Sequence, residues 1–211
     1  HVSEELRTKG HITSREVPEV TVLFTDFIEF TQLAQRVPAN ELHEEMDICF
    51  AAFDRIVQHE GGERIKTIGD AYMAAIGLNE HFPDAASRMV RAALKMQGFL
   101  LERERMRSVE GRFFFTMRAG LHTGPVIAGV AGSGRLQYDI WGDTVNTASR
   151  MESAGQVGKV NISTATYERL KSDPSATGDV VFAFTPRGKL LAKGKGDLEM
   201  YFVQEAAAVR S

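Results

Sequence analysis

The order of its apolar segments constrains what this chain can fold into more than any other feature of the sequence. A β-branched run over residues 20–25 predicts a buried strand, and apolar residues three and four apart then predict a long helix that stops at Gly61 and Gly62. A hairpin with Gly69 and Asp70 in its turn is followed by a second long helix, capped by Asp84, and by another strand. This order matches the split βαβ, or ferredoxin-like, arrangement. We therefore predict an α+β fold in which helices pack on one face of a mostly antiparallel sheet.

Later segments predict how the sheet is completed. Residues 113–120 and 125–130 predict two separate strands, joined through residues 122–124. Ser163 is placed to cap a short helix that ends near Lys171. Further strands are expected over residues 159–162, 180–184 and 198–203, with a basic hairpin over residues 187–196 before the last of them.

The composition fits one compact domain. The chain has 211 residues, of which 43% are hydrophobic, and this is enough for a full core. We predict that residues 18–205 form the domain, that residues 1–17 are a linker or a remnant of a missing upstream region, and that residues 206–211 are a C-terminal tail.

Charge, hydropathy and cysteine content exclude several classes of function. The net charge of -3 argues against a nucleic-acid-binding surface, and no apolar run is long enough to span a membrane. The single cysteine, Cys49, lies in the apolar pattern of a helix and is expected in the core. Because one cysteine cannot form a disulfide within the chain, we expect a cytoplasmic location, either free or as the cytosolic part of a larger protein.

One strand-to-helix corner carries a distinctive set of polar side chains. Residues 137–151 predict a strand, a turn at Gly142 and Asp143, and then a helix. Asp139 precedes the turn, while Asn146 and Arg150 are four residues apart and share one helical face. An acid, an amide and a guanidinium therefore project from one corner, which can hold a polar ligand with a negatively charged tail.

Two aspartates predict a metal site. Asp26 follows the first buried strand and Asp70 lies in the hairpin turn, and a ferredoxin-like core can bring these positions together. Carboxylate oxygens are hard ligands that suit Mg²⁺ or Mn²⁺. The alternative is structural, with Asp26 as a helix N-cap and Asp70 as a turn residue.

Any phosphate-binding site in this chain must be built without the Walker motif, because the sequence contains no G-x-x-x-x-G-K-S/T segment. The helix start after Asp26 offers backbone N–H groups, and we expect Phe30 and Thr31 to bind substrate there. Arg150 and the lysines at 193 and 195 add cationic side chains, although the two lysines also fit a solvated hairpin tip.

Lys66 and Asp139 together predict recognition of adenine. An ammonium group can donate to adenine N1 and a carboxylate can accept from its N6 amino group, whereas guanine has the opposite polarity at these positions. Taken without Asp139, Lys66 fits an exposed strand lysine better than a base-binding residue.

Three ordered segments resemble the signature blocks of the class III adenylyl/guanylyl cyclase catalytic domain, namely residues 24–31, 65–73 and 137–152. The likeness extends over roughly residues 17–203. It implies conversion of ATP to cyclic AMP and pyrophosphate, with two Mg²⁺ or Mn²⁺ ions bound by Asp26, Asp70 and the backbone carbonyl of Phe27.

The same resemblance implies roles for the remaining site residues. Lys66 and Asp139 match the positions that read adenine, where guanylyl cyclases carry Glu and Cys. Asn146 would orient the ribose, and Arg150 would stabilise charge on the α-phosphoryl group in the transition state. Lys193 is similar to the lysine that binds the terminal phosphate, with Lys195 as the alternative.

The resemblance also implies a homodimer with composite sites, and the polar residues 1–17 lead us to expect an upstream regulatory domain. Asp26 and Asp70 would come from one subunit, and the base-reading and transition-state residues from the other. The chain departs from the family pattern at Glu29, where a glycine is usual, and we expect activity to survive this change.

Two rival functions remain open at this point. A guanylyl cyclase is the nearer rival, and Lys66 and Asp139 argue against it. An inert nucleotide-binding or regulatory dimer module is the other, and the complete set of acidic, amide and arginine residues argues against it. A diguanylate cyclase is disfavoured because no Gly-Gly-Asp/Glu-Glu-Phe segment occurs.

Overall fold

The computed structural model describes residues 14–131, 137–173, 181–192 and 196–206. The strands in these parts are β1 (Arg15–Phe27), β2 (Glu63–Ile68), β3 (Ala71–Ile76), β4 (Met117–Ala131), β5 (Gln137–Trp141), β6 (Val160–Ser163), β7 (Phe182–Ala192) and β8 (Gly196–Glu205). The helices are α1 (Phe30–Arg36), α2 (Ala39–His59), α3 (Ala85–Val109), α4 (Asp143–Ser153) and α5 (Thr164–Ser172). No helix in the described parts is both long and apolar enough to cross a membrane.

The strands form a single sheet in the order β2-β3-β1-β4-β6-β8-β7, and β5 pairs with β4 beside this path. Neighbouring strands are antiparallel except for β4 and β6, which run parallel. The order of β1 to β4 is that of the split βαβ unit. The predicted α+β class and the mostly antiparallel sheet are therefore confirmed.

Hydrophobic packing covers both faces of the sheet. On one face, Leu23 and Leu121 pack in a large core with α2 and α3. On the other, Val22 and Phe24 pack in a smaller core that includes Ala148 of α4. Successive strand residues point to opposite faces. The prediction that all helices lie on one face was therefore wrong, because α4 returns over the second face.

The prediction of two strands over residues 113–130 was also wrong, because β4 is one continuous strand. Pro125 in its middle has no N–H to donate. The β1 register shifts between Val17 and Val20, which is the stretch of β1 that faces Pro125. A bulge in the partner strand is a position where a proline leaves no ladder hydrogen bond unmade.

Two other boundaries differ from the sequence-based expectation. β1 begins at Arg15, within the segment predicted to be a linker, and pairs there with Ala128 of β4. β7 runs on to Ala192 and β8 begins at Gly196, so residues 187–192 of the predicted basic hairpin are the continuation of β7. Pairing with a neighbouring strand extends both elements beyond their apolar segments.

Gly120 of β4 lets the backbone of α4 approach the sheet closely. A Cβ atom at this position would lie 1.9 Å from the amide nitrogen of Glu152 and 2.3 Å from the carbonyl carbon of Met151. These are backbone atoms, so no side-chain rotation could relieve the overlap. The position of α4 on the sheet therefore depends on the absence of a side chain here.

We expect Gly120→Ala to lower the free energy of unfolding by more than about 3 kcal/mol, because the helix backbone would have to move off the sheet. Urea denaturation followed by circular dichroism measures the change. Gly98→Ala is the matched control, because a Cβ at Gly98 in α3 would meet no described atom within 4 Å. That control should gain up to about 1 kcal/mol from better helix propensity. Equal stability of the two variants would contradict direct packing of α4 on Gly120.

Candidate active site

Asp26 and Asp70 converge at one end of the β1–β3 pair. Asp26 pairs in register with Ala71, the residue that follows Asp70 in the chain. Burial raises the pKa of Asp70, and the negative charge of Asp26 and a hydrogen bond with its side chain raise it further. The two carboxyl groups therefore lie close enough to share a hydrogen bond, one at the end of β1 and the other in the turn between β2 and β3.

Arg118 is a candidate site residue that the sequence did not predict. It lies on β4 directly opposite Asp26, and its Nη2 atom is 3.1 Å from Asp26 Oδ2. Its Nε atom forms an ion pair at 3.0 Å with Oε1 of Glu152, a mostly buried residue of α4. Only the strand register brings Arg118 to Asp26, so spacing along the sequence gave no signal for it.

The oxygen donors at this position fit a divalent cation. Mg²⁺ is commonly bound by one or two protein carboxylates together with substrate phosphates. Asp26 and Asp70 supply two carboxylates, and Arg118 offsets only part of their negative charge. In the described part of the chain no group of three or more His, Cys, Asp or Glu side chains is arranged to hold a metal. An ion here would therefore take its remaining ligands from the backbone and the substrate.

The backbone after Asp26 is held in place by aromatic packing. The ring of Phe27 is almost fully buried and stacks on Phe115, with 4.3 Å between ring centroids. The N–H group of Ile28 donates to the carbonyl oxygen of Thr116 at 2.9 Å. These contacts fix the position of the Phe27 carbonyl, the predicted third protein ligand.

Glu29 has the left-handed backbone conformation that a glycine adopts readily, with φ of 58° and ψ of 22°. No other non-glycine residue in the described parts of the chain has a positive φ. Its side chain is exposed, and its carbonyl oxygen accepts from the N–H groups of Gln32 and Leu33 at the start of α1. The chain thus keeps the turn that a glycine would make, at some cost in backbone strain.

Phe30 and Thr31 form the first turn of α1, as predicted. Phe30 is half-buried and its ring lies 6.1 Å from that of Phe115, whereas Thr31 is exposed. Both residues therefore lie at the start of α1, three and four residues after Phe27, and the side chain of Thr31 is open to solvent.

Lys66 and Asp139 are brought together by the tertiary structure. Lys66 lies on β2 and Asp139 on β5, yet Lys66 Nζ and Asp139 Oδ2 are 2.5 Å apart. Both side chains are largely shielded from solvent, with 27% and 14% exposed. The other carboxylate oxygen of Asp139 accepts from the N–H group of Ile140 at 2.9 Å. A cation and an anion thus stand side by side, each with a fixed direction.

Asn146 and Arg150 lie one turn apart on α4, as the spacing predicts. Gly142 begins the helix with φ of 127°, a conformation that suits glycine. Asn146 is exposed and Arg150 is half-buried. Within the described residues, neither side chain forms a hydrogen bond or an ion pair, and neither contacts Asp26 or Asp70 in this way.

Lys193 and Lys195 lie outside the described residues. Cys49 is fully buried and burial raises its pKa to about 12, which confirms the predicted core position. The Nδ1 atom of His122 lies 2.7 Å from the Ser163 hydroxyl, inside the fold.

Comparison with known proteins places these residues in a family. The family model described as the adenylate and guanylate cyclase catalytic domain matches residues 12–205. Over 203 residues the chain is 36% identical to an adenylate cyclase of Mycobacterium bovis, and this match covers 96% of this chain and 43% of that protein. It is 34% identical over 203 residues to the guanylate cyclase soluble subunit beta-2 of Rattus norvegicus, covering 96% of this chain and 28% of that protein.

A solved structure supports the same assignment. The crystal structure of the adenylyl cyclase CyaB from P. aeruginosa superposes with a TM-score of 0.84 at 25% identity, covering 93% of this chain and 98% of that chain. The chain spans less than half the length of the two relatives above. The matched model covers nearly all of the chain, and the chain belongs to the class III adenylate/guanylate cyclase catalytic domain family.

Proposed function

We propose that this domain is an adenylate cyclase, which converts ATP to 3′,5′-cyclic AMP and pyrophosphate. The observation that carries the proposal is the Lys66–Asp139 pair, with its nitrogen and oxygen 2.5 Å apart. The two groups offer one donor and one acceptor side by side, which complements the N1 and N6 edge of adenine. Sequence identity to the relatives does not decide whether the substrate carries adenine or guanine, because the chain is 36% identical to an adenylate cyclase and 34% identical to a guanylate cyclase subunit.

In this proposal Asp26, Asp70 and the carbonyl oxygen of Phe27 hold two Mg²⁺ or Mn²⁺ ions. When bound, such ions lower the pKa of the ribose 3′-hydroxyl and neutralise charge on the triphosphate. Arg118, 3.1 Å from Asp26, adds a guanidinium beside the acidic pair, and a guanidinium is a group that pairs well with phosphate oxygens. The acidic pair attracts the cations, and Arg118 limits the repulsion between the pair and the substrate.

The remaining residues bind and orient the nucleotide. The N–H groups at Phe30 and Thr31 bind phosphate oxygens, and Lys193 binds the terminal phosphate. Asn146 orients the ribose so that its 3′-oxygen attacks the α-phosphorus in line with the leaving pyrophosphate. Arg150 stabilises the negative charge that develops on the α-phosphoryl group.

The site is completed by a second copy of the chain. Within the described residues, Asn146 and Arg150 have no polar partner and no hydrogen bond or ion pair to the aspartates. A two-fold dimer would place Asp26 and Asp70 of one protomer against α4 of its partner, and it would form two equivalent sites. We further propose that an upstream regulatory domain controls this dimer, and that the domain works in the cytoplasm.

The first test of the proposed function concerns the reaction. Purified protein incubated with Mg²⁺ or Mn²⁺ should convert ATP to cyclic AMP, detected by chromatography, and GTP to much less cyclic GMP. Asp26→Ala should lose activity by more than about a hundredfold because a metal ligand is removed. Arg150→Ala should lose activity to a similar extent because transition-state charge is left unpaired.

Arg55→Ala is the control for these variants, because Arg55 lies on an exposed part of α2. Cyclic GMP as the main product would show that the domain is a guanylate cyclase. No product at a protein concentration where dimers form would support the inert module.

The second prediction concerns the base. The double variant Lys66→Glu with Asp139→Cys should shift the ratio of kcat/KM for ATP over GTP toward GTP by at least about a hundredfold, because donors and acceptors then match guanine. Arg64→Met on the same strand is the control, since Arg64 pairs with Asp54 instead. An unchanged ratio in the double variant would disprove the assigned role of the Lys66–Asp139 pair.

The third prediction concerns the shared site. Asp26→Ala and Asn146→Ala chains should each be inactive alone. An equal mixture should recover about one quarter of the wild-type activity, because half of the dimers are mixed and each mixed dimer has one intact site. Exchange of chains is verified by native mass spectrometry. Mixed dimers that form without any recovery of activity would rule out a composite site.

A further inference from the structure

The last turn of α4 is held by side chains from outside the helix. The final carbonyl groups of a helix have no partner within it. Here the carbonyl oxygen of Ala154 accepts from Nη1 of Arg187 at 2.7 Å, and that of Met151 accepts from Nδ2 of Asn161 at 2.7 Å. Arg187 Nη1 also donates to Asn161 Oδ1 at 3.0 Å, so the two side chains that hold the helix end are bonded to each other.

The local backbone directs Arg187 toward this helix end. On β7, Pro186 pairs with Tyr201 and Gly188 pairs with Met200, so Arg187 is the extra residue of a β-bulge. Gly188 has a left-handed φ of 71°. Bulges of this kind turn a side chain out of the regular alternation and are frequent beside active sites.

The guanidinium of Arg187 is fixed on its other side by an aromatic ring. Its Cζ atom lies 4.2 Å from the ring centroid of Phe202 on β8, within the range of a cation–π contact. Arg187 is half-buried. It therefore has one defined orientation, stacked on β8 and bonded to the end of α4.

These contacts bear on the proposed reaction because α4 carries Asn146 and Arg150. Neither side chain has a polar partner in the described residues, so the helix itself determines where the two groups lie. Arg187 thus ties the helix that carries the transition-state residues to the β7–β8 pair, and misplacement of reacting groups by about 1 Å can cost a hundredfold in rate.

We propose that Arg187 is a positioning residue for catalysis, which sets the location of Asn146 and Arg150 by anchoring the C-terminal end of α4 to the β7–β8 pair. This inference rests on the proposed function for its catalytic consequence. Its structural part, the anchoring of α4, can be tested without any activity.

Hydrogen exchange tests the anchoring directly. Arg187→Met should raise amide exchange in α4 at least about tenfold over wild type, because the hydrogen bond to the Ala154 carbonyl oxygen and the hydrogen bond that supports Asn161 are both lost. Lys189→Met is the matched control, since it removes an exposed cation from the same strand, and it should leave exchange in α4 unchanged. Equal protection of α4 in the two variants would overturn the inference, whatever reaction the domain catalyses.

Steady-state kinetics test the catalytic consequence. Arg187→Met should lower kcat by about tenfold to a hundredfold while KM for ATP changes by less than about threefold, because positioning acts in the transition state. Arg187→Lys should recover part of kcat, since an ammonium can replace one hydrogen bond but not the planar stacking. A kcat for Arg187→Met equal to that of Lys189→Met would overturn the inference.

Mixed dimers separate this role from a general loss of folding. An Arg187→Met chain should keep an intact Asp26–Asp70 half-site. Mixed with Asp26→Ala chains it should recover activity, because the Asp26→Ala chain supplies an intact α4. Mixed with Arg150→Ala chains it should show no more than the residual activity of Arg187→Met itself, because α4 is impaired in both chains. Recovery with neither partner would indicate a general folding defect and overturn the positioning role. The mixture of Asp26→Ala with Arg150→Ala chains is the reference. If this mixture recovers no activity, the shared site of the proposed function is disproved, and the hydrogen exchange of α4 and the kcat of Arg187→Met still decide the role of Arg187.

Discussion

The contact between the backbone of α4 and Gly120 of β4 is the constraint on which the rest of the site depends. It allows the helix to lie directly on the sheet, so that the turn from Met151 to Ala154 can be held from several sides. A larger residue at Gly120 would lift the helix and separate these contacts. The position of Asn146 and Arg150 therefore depends on the absence of a side chain at Gly120, on the strand beneath the helix.

Electrostatics organise the other half of the site. Asp26 and Asp70 lie in contact, and two adjacent carboxyl groups repel each other unless a cation or a proton intervenes. Arg118 supplies part of that compensation and also pairs with Glu152 of α4. One arginine thus connects the acidic pair with the helix that carries Asn146 and Arg150. A divalent ion is the natural complement to the charge that Arg118 leaves uncompensated.

The sequence predicted the elements well where the pattern was local. The periodicity of α2 and α3, the hairpin around Gly69 and the turn at Gly142 were all predicted because each depends on residues close in the chain. The continuity of β4 through Pro125 was missed, since a proline is tolerated there only because β1 has a bulge opposite to it. Arg118 and Arg187 were missed as well, because strand register and a β-bulge determine which neighbours they contact.

By itself, the sequence determined the α+β class, the split βαβ order and the family. It also identified Asp26, Asp70, Lys66 and Asp139 as candidate site residues and placed Asn146 and Arg150 on one helical face. Only the tertiary structure decided which of these side chains meet. Lys66 and Asp139 come together across β2 and β5, which are 73 residues apart at this pair. The physical reason is that helical and strand periodicity act over a few residues, whereas pairing register and the close approach at Gly120 depend on the whole packed sheet.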